Sequence, residues 1–345
     1  MKKFTTVLSV IAILFLSLNA QAKIWRINNT PGVTADFTNC TAALSSTSVL
    51  NDDTLYIESS AIGYTGFTLS KRLVIIGTGY FLSGANANTG LQASANSSSF
   101  TGGVIAFDST GSGSTLMGLD NVYLGVGAAL GSATDNITIT RCNISNFGAY
   151  YGYTANTSMA GWVINKCYIS SFSFSSFKMQ DWNINNNIIT STFDISGTSN
   201  TNMIVRNNVI RGGISLYNTY FVNNIITATT FTNVNATIKN NISTGTNLPA
   251  GNNNINGATD AALFQGLSGN STDGQWRLKA GSPAIGAGLT VGAVVSPDCG
   301  AFGATDPYKL SGIPNIPSIY SLTVPASIPT GTATMNVTFS TRSNN

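Results

Sequence analysis

The sequence has no histidine and a single glutamate, Glu58, and only 8% of its 345 residues are charged. Without an imidazole there is no Ser-His-Asp or Cys-His nucleophile, no His-ligated zinc and no histidine general base. Sparse charge and near-absent Glu also argue against a mainly helical fold, whose outer faces are normally solubilised by Lys, Glu and Arg. Four cysteines do not make a disulfide scaffold in a chain this long, so stability must come from a large core. No basic run or stripe exists to neutralise phosphates, which argues against nucleic acid as a partner.

The N terminus has the form of an export signal. Lys2 and Lys3 precede an apolar run from Val7 to Leu18, and Ala20-Gln21-Ala22 is a small-x-small cleavage site. The run is shorter than the roughly 20 residues a membrane span needs, and no later segment is apolar enough to cross a bilayer. Residues 1–22 are therefore expected to be removed, leaving a water-soluble protein that is secreted or held at the surface of a bacterium.

The most informative region is a repeat. Ile139-Thr-Arg-Cys142-Asn-Ile144, Ile164-Asn-Lys-Cys167-Tyr-Ile169, Ile184-Asn-Asn-Asn187-Ile-Ile189, Val205-Arg-Asn-Asn208-Val-Ile210, Phe221-Val-Asn-Asn224-Ile-Ile226 and Ile238-Lys-Asn-Asn241-Ile-Ser243 share the form apolar-x-x-Asn/Cys-x-apolar. Successive Asn/Cys positions lie 25, 20, 21, 16 and 17 residues apart. A period near 20 that varies by whole loops fits a coil of short parallel strands, because helical repeats are longer and need helix formers. In such a solenoid, equivalent positions stack about 4.8 Å apart. The aliphatic residues then form internal columns. Cys142, Cys167, Asn187, Asn208, Asn224 and Asn241 form a structural ladder in which each amide donates to the next rung's carbonyl.

With these motifs the chain resembles the right-handed parallel β-helix proteins of the pectate-lyase-like superfamily, of the exported bacterial type. Asp53-Thr-Leu-Tyr-Ile57, Gly66-Phe-Thr-Leu69 and Leu73-Val-Ile-Ile-Gly77 look like that group's entry rungs. Trp276-Arg-Leu-Lys-Ala-Gly-Ser-Pro-Ala-Ile285 with Asp298-Cys-Gly-Ala-Phe302 resembles its closing segment, although Gly286 stands where the pattern usually carries Asp. The expected organisation is an N-terminal cap over 23–51, rungs over 52–265, closing rungs over 266–311 and a Pro-rich extended tail over 312–345. Ser83–Gly103 and Gly111–Gly131 read as loop excursions. Ile188, Val209, Ile225 and Ile242 form an apolar stripe that the tail is expected to cover as a strap, the alternative being that the tail starts a docking or export signal. Cys142 and Cys167 share a column, which leaves open a disulfide or stacked thiols.

The resemblance implies activity on polysaccharides, often acidic ones. A lyase needs a cation such as calcium at the uronate and an Arg or Lys base, and a hydrolase needs paired carboxylates. Asp52 and Asp53 are the one adjacent acidic pair, and a turn explains them. The lyase-like set is Lys178, Asp181, Asp194, Arg206 and Arg211, with Lys166 nearby. Trp162, Tyr168 and Trp182 are candidate platforms for sugar rings. A regular Thr array for binding ice is not supported, since Thr138-x-Thr140 does not recur as a column. The expected function is a non-catalytic structural, adhesive or carbohydrate-binding module without a cofactor. The alternative is a polysaccharide lyase, in which calcium would take part.

Overall fold

The computed structural model describes residues 22–126, 133–149, 158–227, 230–328 and 330–344. The expected export signal, apart from Ala22, and the later part of the Gly111–Gly131 excursion lie outside them. The protein is all-β, with 35% strand and 6% helix, and its parallel sheets form a β-solenoid of about 8 turns.

The repeats build this coil through a two-residue period. In Val163–Asn165 and Asn183–Asn185 the central isoleucine is buried and its neighbours are partly exposed. Parallel pairing stacks Ile139, Ile164, Ile184, Val205, Phe221 and Ile238 in one inward column. The first sheet holds ten described strands, from Ile24–Ile27 to Thr237–Lys239, and the second holds twelve, from Thr68–Leu69 to Ile242–Ser243. Ile24–Ile27 already pairs with Thr54–Ile57, so the solenoid starts inside the stretch expected to be only a cap. Within that stretch the short helix Cys40–Ser45 closes the open end, burying Cys40, Ala43 and Leu44.

A turn between the two sheets needs one residue with positive φ. Arg141, Lys166, Asn186, Asn207, Asn223 and Asn240 take it, at φ 53° to 58°. Asparagine is the non-glycine residue most at ease there, which accounts for the Asn-Asn pairs. The residue after each of them enters the interior as the ladder. Asn187 N donates to Asn208 Oδ1 (2.9 Å), Asn208 N to Asn224 Oδ1 (2.9 Å) and Asn224 N to Asn241 Oδ1 (2.8 Å). The side-chain amides run along the column as expected, Asn187 Nδ2 donating to Asn208 Oδ1 (3.0 Å), Asn208 Nδ2 to Asn224 Oδ1 (3.0 Å) and Asn224 Nδ2 to Asn241 Oδ1 (3.1 Å), and they also reach back to the preceding rung, Asn208 Nδ2 to Ile184 O and Asn224 Nδ2 to Val205 O. Asn254 extends the ladder by one rung, accepting from Asn241 N at 3.1 Å.

At the other end sulfur substitutes for the amide oxygen. Cys142 N lies 3.4 Å from Cys167 Sγ, and Cys167 N donates to Asn187 Oδ1 at 2.9 Å. All four cysteines are buried free thiols, so the stacked-thiol alternative holds. Burial, and then the neighbouring Cys142, push the Cys167 thiol far above its ordinary range, so it stays protonated.

The apolar stripe is covered, but not by the tail. Ile188, Val209, Ile225 and Ile242 pack with Leu263, Phe264, Trp276, Ala284, Cys299, Ala301 and Tyr308. A return segment over residues 258–313 therefore runs back along the solenoid. Gly300, at φ +87°, lies so close to the stripe that a Cβ there would sit 2.7 Å from Ile225 Cδ1. The outer corner residues hold this segment in order. Asn240 donates to Ala287 O, Asn223 accepts from Leu289 N, Asn207 donates to Asp298 O, and Asn186 donates to Ala301 O and Gly303 O. Lys166 pairs with Asp306, and Arg141 donates to Ile313 O. Near its end the segment is pinned by Asp273, fully buried, which accepts from Asn88, Ser271, Tyr308 and the Ser311 backbone N–H.

Beyond it, Ser318–Thr323 and Thr338–Arg342 form an antiparallel hairpin with Leu322 and Phe339 mostly exposed. The expected strap is thus a separate projection, tied back by few bonds, among them Ala93 N to Ile319 O at 2.9 Å.

Candidate functional site

The outward face of the first sheet carries Thr140, Asn165, Asn185, Arg206, Val222 and Lys239 in one register column. A parallel coil must repeat such columns, because each strand is stacked in register on the last. Beside this column runs a second one, in which Ile204 is paired with Tyr220. The return segment rises along one side of both columns and makes a cleft of about 420 Å³. Asn165, Asn185, Arg206 and Tyr220 form its floor, and Leu289, Val291, Val294, Pro297 and Asp306 form its wall.

Arg206 is exposed, and among the described residues its guanidinium makes no hydrogen bond or ion pair. Asp306 contributes the carboxylate in the lining and is engaged by Lys166. Lys239 Nζ stands 5.0 Å from the centroid of the Tyr220 ring. Asn165 Oδ1 accepts from Thr140 Oγ1, and Asn185 Nδ2 donates to Asn183 Oδ1 at 3.0 Å, so both amides are held in place. The cleft therefore offers a free planar cation, fixed amides, an aromatic ring and an apolar wall. That set suits a hydroxyl-rich ligand bearing a carboxylate.

The lyase-like set is not brought together. Lys178 lies on the short strand Lys178–Gln180, paired with Ser158–Ala160 away from the cleft. Asp181 sits at the following corner and accepts from Asn202 Nδ2 at 2.8 Å. Asp194 accepts from Ser196 N and Oγ, which closes a local turn. Arg211 lies over the Trp276 ring, 4.6 Å from its centroid, on the return-segment side. Of the five, Arg206 alone lines the cleft, and among the described residues no hydrogen bond or ion pair joins any two of them.

Two of the three sugar-platform candidates are core residues. Trp162 and Trp182 are fully buried, stacked 4.9 Å apart at 8°, with their indole N–H groups donating to Thr134 O and Met159 O. They belong to an internal aromatic cluster with Phe147, Phe172 and Phe174, in which the rings pack edge-to-face. Tyr168 packs edge-on against Phe81 beside the covered stripe, and burial pushes its hydroxyl pKa up. The exposed-side aromatic of the cleft is Tyr220, which the repeat alignment places one residue before Phe221. Its alternation with that inward ring was the available signal.

No protein-family model matches this chain, and no curated protein matches it.

Proposed function

We propose that this protein is an exported, non-catalytic β-helix module of the pectate-lyase-like type that binds an acidic polysaccharide in the cleft of the first sheet. The observation that supports it is Arg206, unpaired among the described residues, beside Asn185 and Tyr220 under the apolar wall of the return segment. A guanidinium without a protein partner is matched by a uronate carboxylate, fixed amides by hydroxyls, and a ring face by the C–H face of a sugar. Along the solenoid axis the register column places amides at Asn165 and Asn185 and cations at Arg206 and Lys239, spaced for an extended polymer. Export rests on the N-terminal charge, apolar run and small-x-small site.

A lyase on the same polymer is the second reading, favoured by the shared position of Arg206 and Asp306 in one cleft. The residues present do not fit calcium. The cleft supplies one carboxylate, already held by Lys166, and among the described residues no group of three or more acidic, Cys or His side chains gathers.

Titration with polygalacturonate and with a neutral glucan separates these readings. We expect binding of the acidic polymer, weakened at least tenfold by Arg206→Ala with no change in melting temperature. No rise in 235 nm absorbance is expected. A rise that Arg206→Ala abolishes establishes the lyase instead, and equal binding by the variant removes the cleft as the site.

A further inference from the structure

Asp53 is a buried carboxylate, 4% exposed, at the entry to the second strand of the first sheet. Its Oδ2 accepts from the Trp25 indole (2.8 Å) and from Leu50 N (2.9 Å), and its Oδ1 from the backbone N of Lys23 (2.8 Å). Burial pushes this carboxyl up, and the bonds from Leu50, Lys23 and Trp25, with the charge of the Lys23 side chain, outweigh it and hold it below the usual range. All three donors are neutral, and among the described residues no Lys or Arg side chain pairs with Asp53. An opposite charge within about 4–6 Å would favour the ionised form further. Among the described residues the neighbouring cations make no salt bridge to Asp53 and have other partners. Lys23 Nζ lies 3.3 Å from the Trp25 ring centroid, Arg72 holds Asp52, and Lys71 donates to Ser46 O and Val49 O.

The atom facing Oδ1 is the nitrogen that the expected cleavage after Ala22 would free. Ala22 and Lys23 are exposed, so the bond is open to attack. We propose that Asp53 is the receiving site for the mature N terminus. A signal peptidase hydrolyses the Ala22–Lys23 bond: water supplies hydroxide to the Ala22 carbonyl carbon and a proton to the Lys23 nitrogen, which takes a further proton from solvent. The resulting α-ammonium forms an ion pair with Asp53 Oδ1 and fastens the first strand to the second. Removing the export signal thereby completes the capped end of the solenoid, so the exported form is more stable than its precursor.

The inference rests on the export reading for where cleavage falls, and the experiment separates the two. Chains starting at Lys23 with a free amine, and chains retaining Ala22 with an acetylated amine, are released from a cleavable fusion, each with Asp53 or Asp53→Asn. With Asp53, the free-amine chain should melt about 3 °C above the extended one, and Asp53→Asn should erase that difference. The ion pair raises the folded pKa of the amine above its ordinary value of about 7.7–8.0. The advantage should therefore be full below about pH 7.7 and vanish as pH rises through the folded pKa. Equal melting of the two Asp53 chains, or an advantage that survives Asp53→Asn, overturns the receiving site. Mass spectrometry of the protein exported from a bacterial host should give Lys23 as its first residue. Another first residue overturns the processing half and leaves the melting result to stand for the site alone.

Discussion

Two columns of asparagine run side by side along one corner of the solenoid, adjacent in sequence and opposite in task. The inner residues, Asn187, Asn208, Asn224 and Asn241, are fully buried and bond each rung to the next. The outer ones, Asn186, Asn207, Asn223 and Asn240, take the positive φ of the turn and hold the return segment. One repeated dipeptide thus both closes the coil and ties down the cover of its apolar stripe. The wall of the candidate cleft is part of that cover, so the outer column also shapes the proposed binding site.

If the inner column carries the coil, Asn208→Ala should have the largest effect. It leaves Asn187 N, Ile184 O and Arg206 O without their side-chain partner, at about 1–3 kcal/mol for each buried group. A loss of about 3 kcal/mol or more in urea unfolding is expected, and a loss below 1 kcal/mol would mean that water enters the corner. The return segment is tested next by Asp273→Asn, which replaces one carboxylate oxygen by a donor facing the Ser311 N–H and the Tyr308 hydroxyl. A loss of about 2 kcal/mol is expected, with faster proteolysis inside 258–313 while the rungs resist.

The outer column should respond less. Asn207→Ala loses one bond to Asp298 O and places a Cβ residue other than Asn at φ 53°, whereas Asn207→Gly loses the bond alone. Losses of about 1.5 and 0.5 kcal/mol are expected, and the gap between them measures the turn strain. Equal losses would locate the cost in the hydrogen bond. The smallest effect is expected from deleting residues 318–345, at under about 1 kcal/mol, because the hairpin covers none of the stripe. A large fall in melting temperature with new dye binding would restore a strap role for the tail.

The coil was legible in the sequence for a physical reason. Parallel in-register stacking forces the same residue types into the same positions, so Ile139, Ile164 and Ile184 announce an inward column, and the Asn/Cys positions announce a ladder. The candidate site was far less legible. Lys178, Asp181 and Asp194 are close in sequence, yet a turn of the coil spreads consecutive segments over different faces. Trp162 and Trp182 carry no mark in sequence that separates an internal stack from a sugar platform, and the buried rings packed around them decided it.

The sequence by itself determined the period, the strand triplets and the inner ladder. All of these depend on contacts between adjacent rungs, which a repeat records directly. Only the tertiary structure decided what covers the stripe, where Arg206 faces and which residue meets Asp53. Those contacts join segments as far apart as Arg141 and Ile313, and no periodicity reports on pairs that occur once.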